Sequence, residues 1–384
     1  MPLPKLRYQS PLVGLLVGLT LFLYLMNPVE SADRFQTNPT THNGKKWKIG
    51  YYEGGRYFNY PVNLRAISEG LVQLGWMEKT TIADTDDPTD SKSVWEALSN
   101  VKSAYLQFER QAYYCANWDE TLRASNKKAA LKSLQNGQLD LIIAMGTWAG
   151  QDLANDQHSV PVMVVSSSDP IKSGIIKSAS YSGFDHVHAR CDPNRYRRQV
   201  RLFHSIVGFR RLGVAYEDTL AGRSYAAIED VESVAARHGF KTVTCDAMWT
   251  GVTQQEYARN LVECHKKLAP QVDAVYLTVH AGMDSMLMKK IMAPLIAHNL
   301  PTFSQRGSQH VQNGALMSIA RAKFGPIGIY HADIMAKIFN GAHPGELNQI
   351  FEDPRNIAIN LSTAKAIGFK PPKGLMLVAD EIYE

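Results

Sequence analysis

From residue 46 onward, short unbroken apolar runs alternate with stretches whose apolar positions follow helical spacing. KWKIGYY at 46–52 predicts a strand, and VNLRAISEGLVQLGWM after it places Leu64, Ile67, Leu71 and Leu74 on one helical face. LDLIIAM (139–145) and VPVMVVS (160–166) are continuous apolar runs, the mark of strands covered on both faces. A short helix opens at Gly146-Thr147 and runs through Leu153. RRLGVAYED holds a strand at 212–216, and GRSYAAIEDVESVAARHGF reads as one strong helix with Ser224 as its cap and Gly239 at its end. KTVTC, QEYARNLVECHKKL, VDAVYLTV, GMDSMLMKKIMAPLIAHNL, LPTFS, ALMSIA, PIGIYHADIMAKIFNG, NIAINL and STAKAIGF continue the alternation to the end.

Strands alternating with helices predict parallel α/β layers. The units are too many for one sheet, so the expected fold is α/β with two Rossmann-like lobes, each a parallel sheet flanked by helices, joined by a hinge. Residues 80–121 are polar with weak periodicity and are expected to be an elaboration on the first lobe. No internal repeat is present.

Composition narrows the class. Apolar residues make up 45% and charged residues 20%, with a net charge of +5. That balance excludes a disordered chain, and a single long apolar run excludes a polytopic membrane protein. The positive charges are spread out, so nucleic acid is not an expected partner. The long run lies near the start. Lys5 and Arg7 precede an uncharged stretch at 11–26, shorter than the about 20 residues a span wants. Small residues follow, with Val29 and Ser31 spaced for cleavage before Ala32. The expected organisation is a secretory signal peptide at 1–31 and a polar linker at 32–45, with an uncleaved signal anchor as the alternative. Export would bring the four cysteines to an oxidising compartment. Cys245 ends a strand and Cys264 lies on the helix after it, so this pair is placed to bridge; buried free thiols are the other reading.

In open parallel α/β sheets, ligands bind beyond the C-terminal ends of the strands. The residues there include Tyr52, Glu53, Tyr57 and Phe58, then Thr147 and Trp148, then Ser166, Ser167, Ser168 and Asp169. Later strands are followed by Arg223 beyond Tyr216, by His280, and by Ser304, Gln305, Arg306 and Gly307. Glycine, serine and threonine could be caps alone. With Trp148, Arg223, His280 and Arg306 among them, they read as a small-molecule site suited to an anion. No phosphate-binding glycine loop, dinucleotide fingerprint or nucleophile elbow occurs, and the serine run has no His-Asp set. Catalysis, a cofactor and a metal are therefore not expected. His186, His188 and Cys191 could suggest a metal, but they read better as a strand end with exposed histidines.

The blocks DLIIAMGTWAGQDLAN, VPVMVVSSSDPIKSGII and RRLGVAYED, and above all the ending IAINLSTAKAIGFKPPKGLMLVADEIYE, resemble the substrate-binding proteins of ABC transporters of the tryptophan/tyrosine-type group. The resemblance implies a type 1 periplasmic binding fold, three chain crossings between the lobes, a ligand in the cleft and delivery to an ABC permease in the cytoplasmic membrane. The expected lobes are 46–185 plus 307–341 and 186–306 plus 342–384, and the expected location is periplasmic. Thr147, Ser167, Ser168 and Asp169 match the family's cleft loops, and Tyr216 and Arg223 lie in the matching loop of the second lobe. Members commonly carry an acidic residue after the PTF strand, where this chain reads Ser304-Gln305-Arg306-Gly307. An acid with an aromatic or apolar body is therefore the expected ligand. A membrane-anchored ligand-sensing domain of a signalling system is the alternative function.

Overall fold

The computed structural model describes residues 35–83, 86–280, 283–321, 325–352 and 355–384. The expected signal peptide lies outside them. No helix of the described residues is long and apolar enough to cross a membrane.

Five strands build the first sheet: β1 (Trp47–Glu53), β2 (Leu106–Cys115), β3 (Leu141–Met145), β4 (Val162–Val165) and β5 (Val187–Ala189). Their order is β2-β1-β3-β4-β5, and every pairing is parallel. Helices cover both faces, so β3 and β4 are buried along their whole length, as their unbroken apolar runs require. The stretch expected to be an elaboration supplies the helix Ser91–Leu98 and β2, which is an integral edge strand. Only Leu106, Phe108 and Ala112 of β2 are buried, too few for its alternation to stand out in sequence.

Seven strands form the second sheet: β6 (Arg211–Tyr216), β7 (Lys241–Asp246), β8 (Ala274–Leu277), β9 (Thr302–Ser304), β10 (Met317–Arg321), β11 (Arg355–Asn360) and β12 (Ala379–Tyr383). The order is β12-β11-β10-β9-β8-β6-β7. Its β7-β6-β8-β9-β10 portion repeats the winding of the first sheet, and β10–β11 is its antiparallel pair.

Strand pairing corrects the expected lobe limits. β5, assigned to the second lobe, is the edge of the first sheet because it hydrogen-bonds β4. Residues 342–350, also assigned to the second lobe, lie along β5: Gly345 N–H donates to the Asp185 carbonyl and Cys191 N–H to the Gln349 carbonyl. β10, assigned to the first lobe, pairs with β9 and β11 in the second. The chain thus passes between lobes three times: after β5, between β10 and the helix Gly325–Phe339, and before β11. That helix returns to the first lobe and packs on the helix Asn59–Gln73. Gly328 permits the approach, since a Cβ there would lie 2.2 Å from the Ala66 carbonyl oxygen.

Three local readings change or close. The helix expected across 222–240 is two, Leu220–Ala226 and Ile228–His238, separated by Ala227 in the left-handed region with φ 52°. The Ala226 carbonyl accepts from Gln305 Nε2 (3.0 Å), and Thr219, not Ser224, caps the first piece. His188, expected to be exposed, is fully buried beside Tyr330 and the Asn348 carbonyl. Cys245 and Cys264 are bridged, with Cα atoms 5.6 Å apart, whereas Cys115 and Cys191 are free.

Candidate functional site

Both sheets turn the C-terminal ends of their strands toward a shared cleft, a cavity of about 810 Å³ including its mouth. The first lobe lines it with Tyr57, Asn59 and Tyr60 after β1, Trp118 after β2, Thr147 after β3, and Ser166 and Ser168 after β4. The second lobe brings Arg195 and Tyr196 from the first turn of the helix Arg195–Val207, Tyr225, Trp249, Val279, Gln305 and Arg306.

Backbone conformation sets several of these side chains. Gly146 has φ 89°, and a Cβ on it would fall 1.9 Å from the Tyr60 hydroxyl, so that wall of the cavity exists only because residue 146 is glycine. Ser166 takes φ 62°, and its buried hydroxyl makes no hydrogen bond to protein. The break at Ala227 ends the helix that carries Tyr225 and holds it by the Gln305 bond, which places the ring at the cavity.

Arg306 is the most unusual group present. Its guanidinium carbon lies 4.0 Å from the Phe58 ring centroid and 5.6 Å from that of Tyr57. Nη1 donates to the Met283 carbonyl (3.2 Å), while Nε is buried without a partner. Burial holds its pKa below the ordinary arginine value, with the Tyr57 hydroxyl opposing. No Asp or Glu occurs among the described residues lining the cavity.

Of the sequence-derived candidates, Tyr57, Thr147, Ser168 and Arg306 line the cavity. The others are placed elsewhere, each for a visible reason. Tyr52 is core and donates to Asp152 (2.9 Å). Glu53 lies beneath the floor, fully buried, accepting from the Tyr51 and Tyr113 hydroxyls at 2.6 and 2.9 Å; burial raises its carboxyl pKa. Trp148 packs against Trp118, with the Arg123 guanidinium 4.4 Å over its ring. Ser167 sits behind Thr147 at 3.4 Å. Asp169 accepts from the backbone N–H groups of Ile171 and Lys172 and closes its own loop. Tyr216 and His280 border a smaller chamber behind Tyr225 and Trp249, and His280 is held by Tyr257 and Thr278. Arg223 turns outward to Asp218 and Glu229.

Sequence reasoning passed over several lining residues. Trp249 follows β7 and was reachable by the strand-end rule, by which Ser166 and Gln305, also lining the cavity, were already named. Trp118 was hidden with β2. Asn59, Tyr60, Arg195, Tyr196 and Tyr225 sit on helices, where spacing alone does not separate cleft from core.

Two α/β lobes linked by three crossings, with a pocket between facing strand ends, define the type 1 periplasmic binding fold. The sequence profile of the family described as ABC transporter substrate binding protein matches residues 117–383. The chain belongs to that family. It is 22% identical over 235 residues to a tyrosine-binding protein of Clostridioides difficile, an alignment covering 59% of this chain and 63% of that relative's length. Among solved structures, an ABC domain from Streptococcus pneumonia in complex with L-Trp superposes with a TM-score of 0.65 at 18% identity, covering 88% of this chain and all of that one. A ligand-free, open substrate-binding protein with adhesive properties from Clostridium difficile gives 0.61 at 18% identity, covering 88% and 98%.

Proposed function

We propose that this protein is the solute-binding component of an ABC uptake transporter, and that it captures an organic acid with an aromatic or apolar body between its lobes. One observation carries the ligand class: the cavity is walled by aromatic rings and lined by Arg306, whose Nε has no partner, with no carboxylate among its described lining residues. Aromatic faces accept a flat body, and guanidinium pairs with carboxylate through two parallel, charge-assisted bonds. An ammonium group would meet the like charge of Arg306 and no carboxylate among the described lining residues. The amino-acid ligands named for the relatives are therefore poorly suited to this cavity. Export through the N-terminal segment, a periplasmic location and delivery to a membrane permease complete the reading.

The test is calorimetry with indole-3-acetate, its neutral amide and L-tryptophan. Indole-3-acetate is expected to bind at least tenfold more tightly than either, a difference of about 1.4 kcal/mol. Equal affinity for acid and amide, or preference for the amino acid, contradicts the proposed ligand class.

A further inference from the structure

Arg306 belongs to the second lobe, but the rings it lies against, Phe58 and Tyr57, belong to the first. Phe58 follows β1 of the first sheet and Arg306 follows β9 of the second, so their contact is a contact between lobes, made outside the cavity lining on the Phe58 side. We propose that Phe58 and Tyr57, by covering Arg306 as the lobes meet, make closure conditional on an anionic group in the cleft. The inference rests on the reading of the site as an anion-binding cleft and adds a role for residues beside the ligand.

The physical argument concerns where the charge goes. Parting the lobes would take Phe58 and Tyr57 off the Arg306 guanidinium and open it to water. When the lobes meet, it is buried against two aromatic faces, with the Met283 carbonyl and the Tyr57 hydroxyl as polar partners and Nε unpartnered. Taking a cation out of water without a counter-ion is strongly unfavourable, and cation–π attraction offsets only part of that. A carboxylate beside Arg306 supplies the rest and selects the closed state, whereas a neutral ligand of the same shape has no such differential affinity. The direction of the Arg306 pKa displacement, down through burial, agrees with a charge that closure leaves underpaid.

Phe58 is thus a positioning residue, and two measurements test its role. In small-angle scattering of the ligand-free protein, Arg306→Met is expected to be more compact than wild type, because closure no longer buries a charge. In titrations, Phe58→Leu is expected to weaken indole-3-acetate about tenfold and leave the weaker binding of indole-3-acetamide unchanged, with Phe58→Trp restoring the acid's affinity. Thermal melts confirm that each variant is folded. Identical ligand-free scattering for wild type and Arg306→Met overturns the proposal, as does equal weakening of acid and amide by Phe58→Leu. If no acid in the panel binds at all, the ligand class fails, and the scattering comparison still decides the closure mechanism by itself.

Discussion

His280 and His310 lie behind the Arg306 loop, where burial drives both imidazole pKa values down to about 3, with nearby positive groups, Arg306 among them, adding to the effect. His188 and His265 are lowered to about 4, chiefly by burial. A lowered histidine pKa means that the unfolded chain binds the proton first. The folded state therefore loses stability as pH falls from about 6.5 toward these folded values, and keeps it above 6.5. At pH 5 each group costs up to roughly 2 kcal/mol relative to pH 7. Urea midpoints measured at pH 7 and pH 5 are expected to differ clearly, in a range above the titration of ordinary carboxylates. Matching midpoints would mean that these rings are not held neutral.

Single elements carry the shape of the cleft. Gly146 opens the helix Thr147–Leu153 with a backbone that side chains rarely adopt, directly under the Tyr60 hydroxyl. Gly146→Ala is expected to cost about 2–3 kcal/mol and to displace Tyr60, read as a lower melting temperature together with weaker ligand binding. Ala227 shows the opposite case, an alanine in the left-handed region. Ala227→Gly is expected to be neutral or to stabilise by up to about 1 kcal/mol, whereas Ala227→Val should destabilise strongly. A wild-type melting temperature for the valine variant would contradict the backbone argument. The Cys245–Cys264 bridge ties β7 to the helix Gln254–Leu268 across 19 residues of chain. Cys264→Ser is expected to cost about 3 kcal/mol in the oxidised protein, measured by denaturant unfolding.

Across the whole molecule, the lobes are coupled by a few polar contacts besides the Arg306 cover. Lys172 of the first lobe reaches Asp230 of the second at 2.8 Å, and Arg197 takes the other carboxylate oxygen at 2.8 Å. The Tyr196 hydroxyl donates to the Ser168 carbonyl at 3.3 Å nearby. Asp230 is nearly inaccessible to solvent, so its neutralisation leaves two cations facing one another across the lobes. Asp230→Asn is expected to weaken ligand capture severalfold without touching the ligand, and to do so through a faster off-rate. An unchanged off-rate in stopped-flow measurements would show that these contacts persist when the lobes part.

The chain's own pattern was enough for the class of fold, since period changes and strand-end chemistry are local properties written in neighbouring residues. LIIAM and VMVV can hardly be anything but covered strands, and Arg306, singled out after the PTF strand, lines the cavity. What depended on tertiary structure was membership. β5 and β10 are short strands whose sequences say nothing about which sheet completes their hydrogen bonds, and pairing placed each in the lobe opposite to expectation. The same limit applied within the cleft. Tyr52 and Tyr57 stand five residues apart in one aromatic stretch, yet one is core bonded to Asp152 and the other lines the cavity. Trp118 and Arg195 enter the site from the turn after an edge strand and from the helix after a crossing, brought there by contacts distant in sequence, which a local pattern cannot contain.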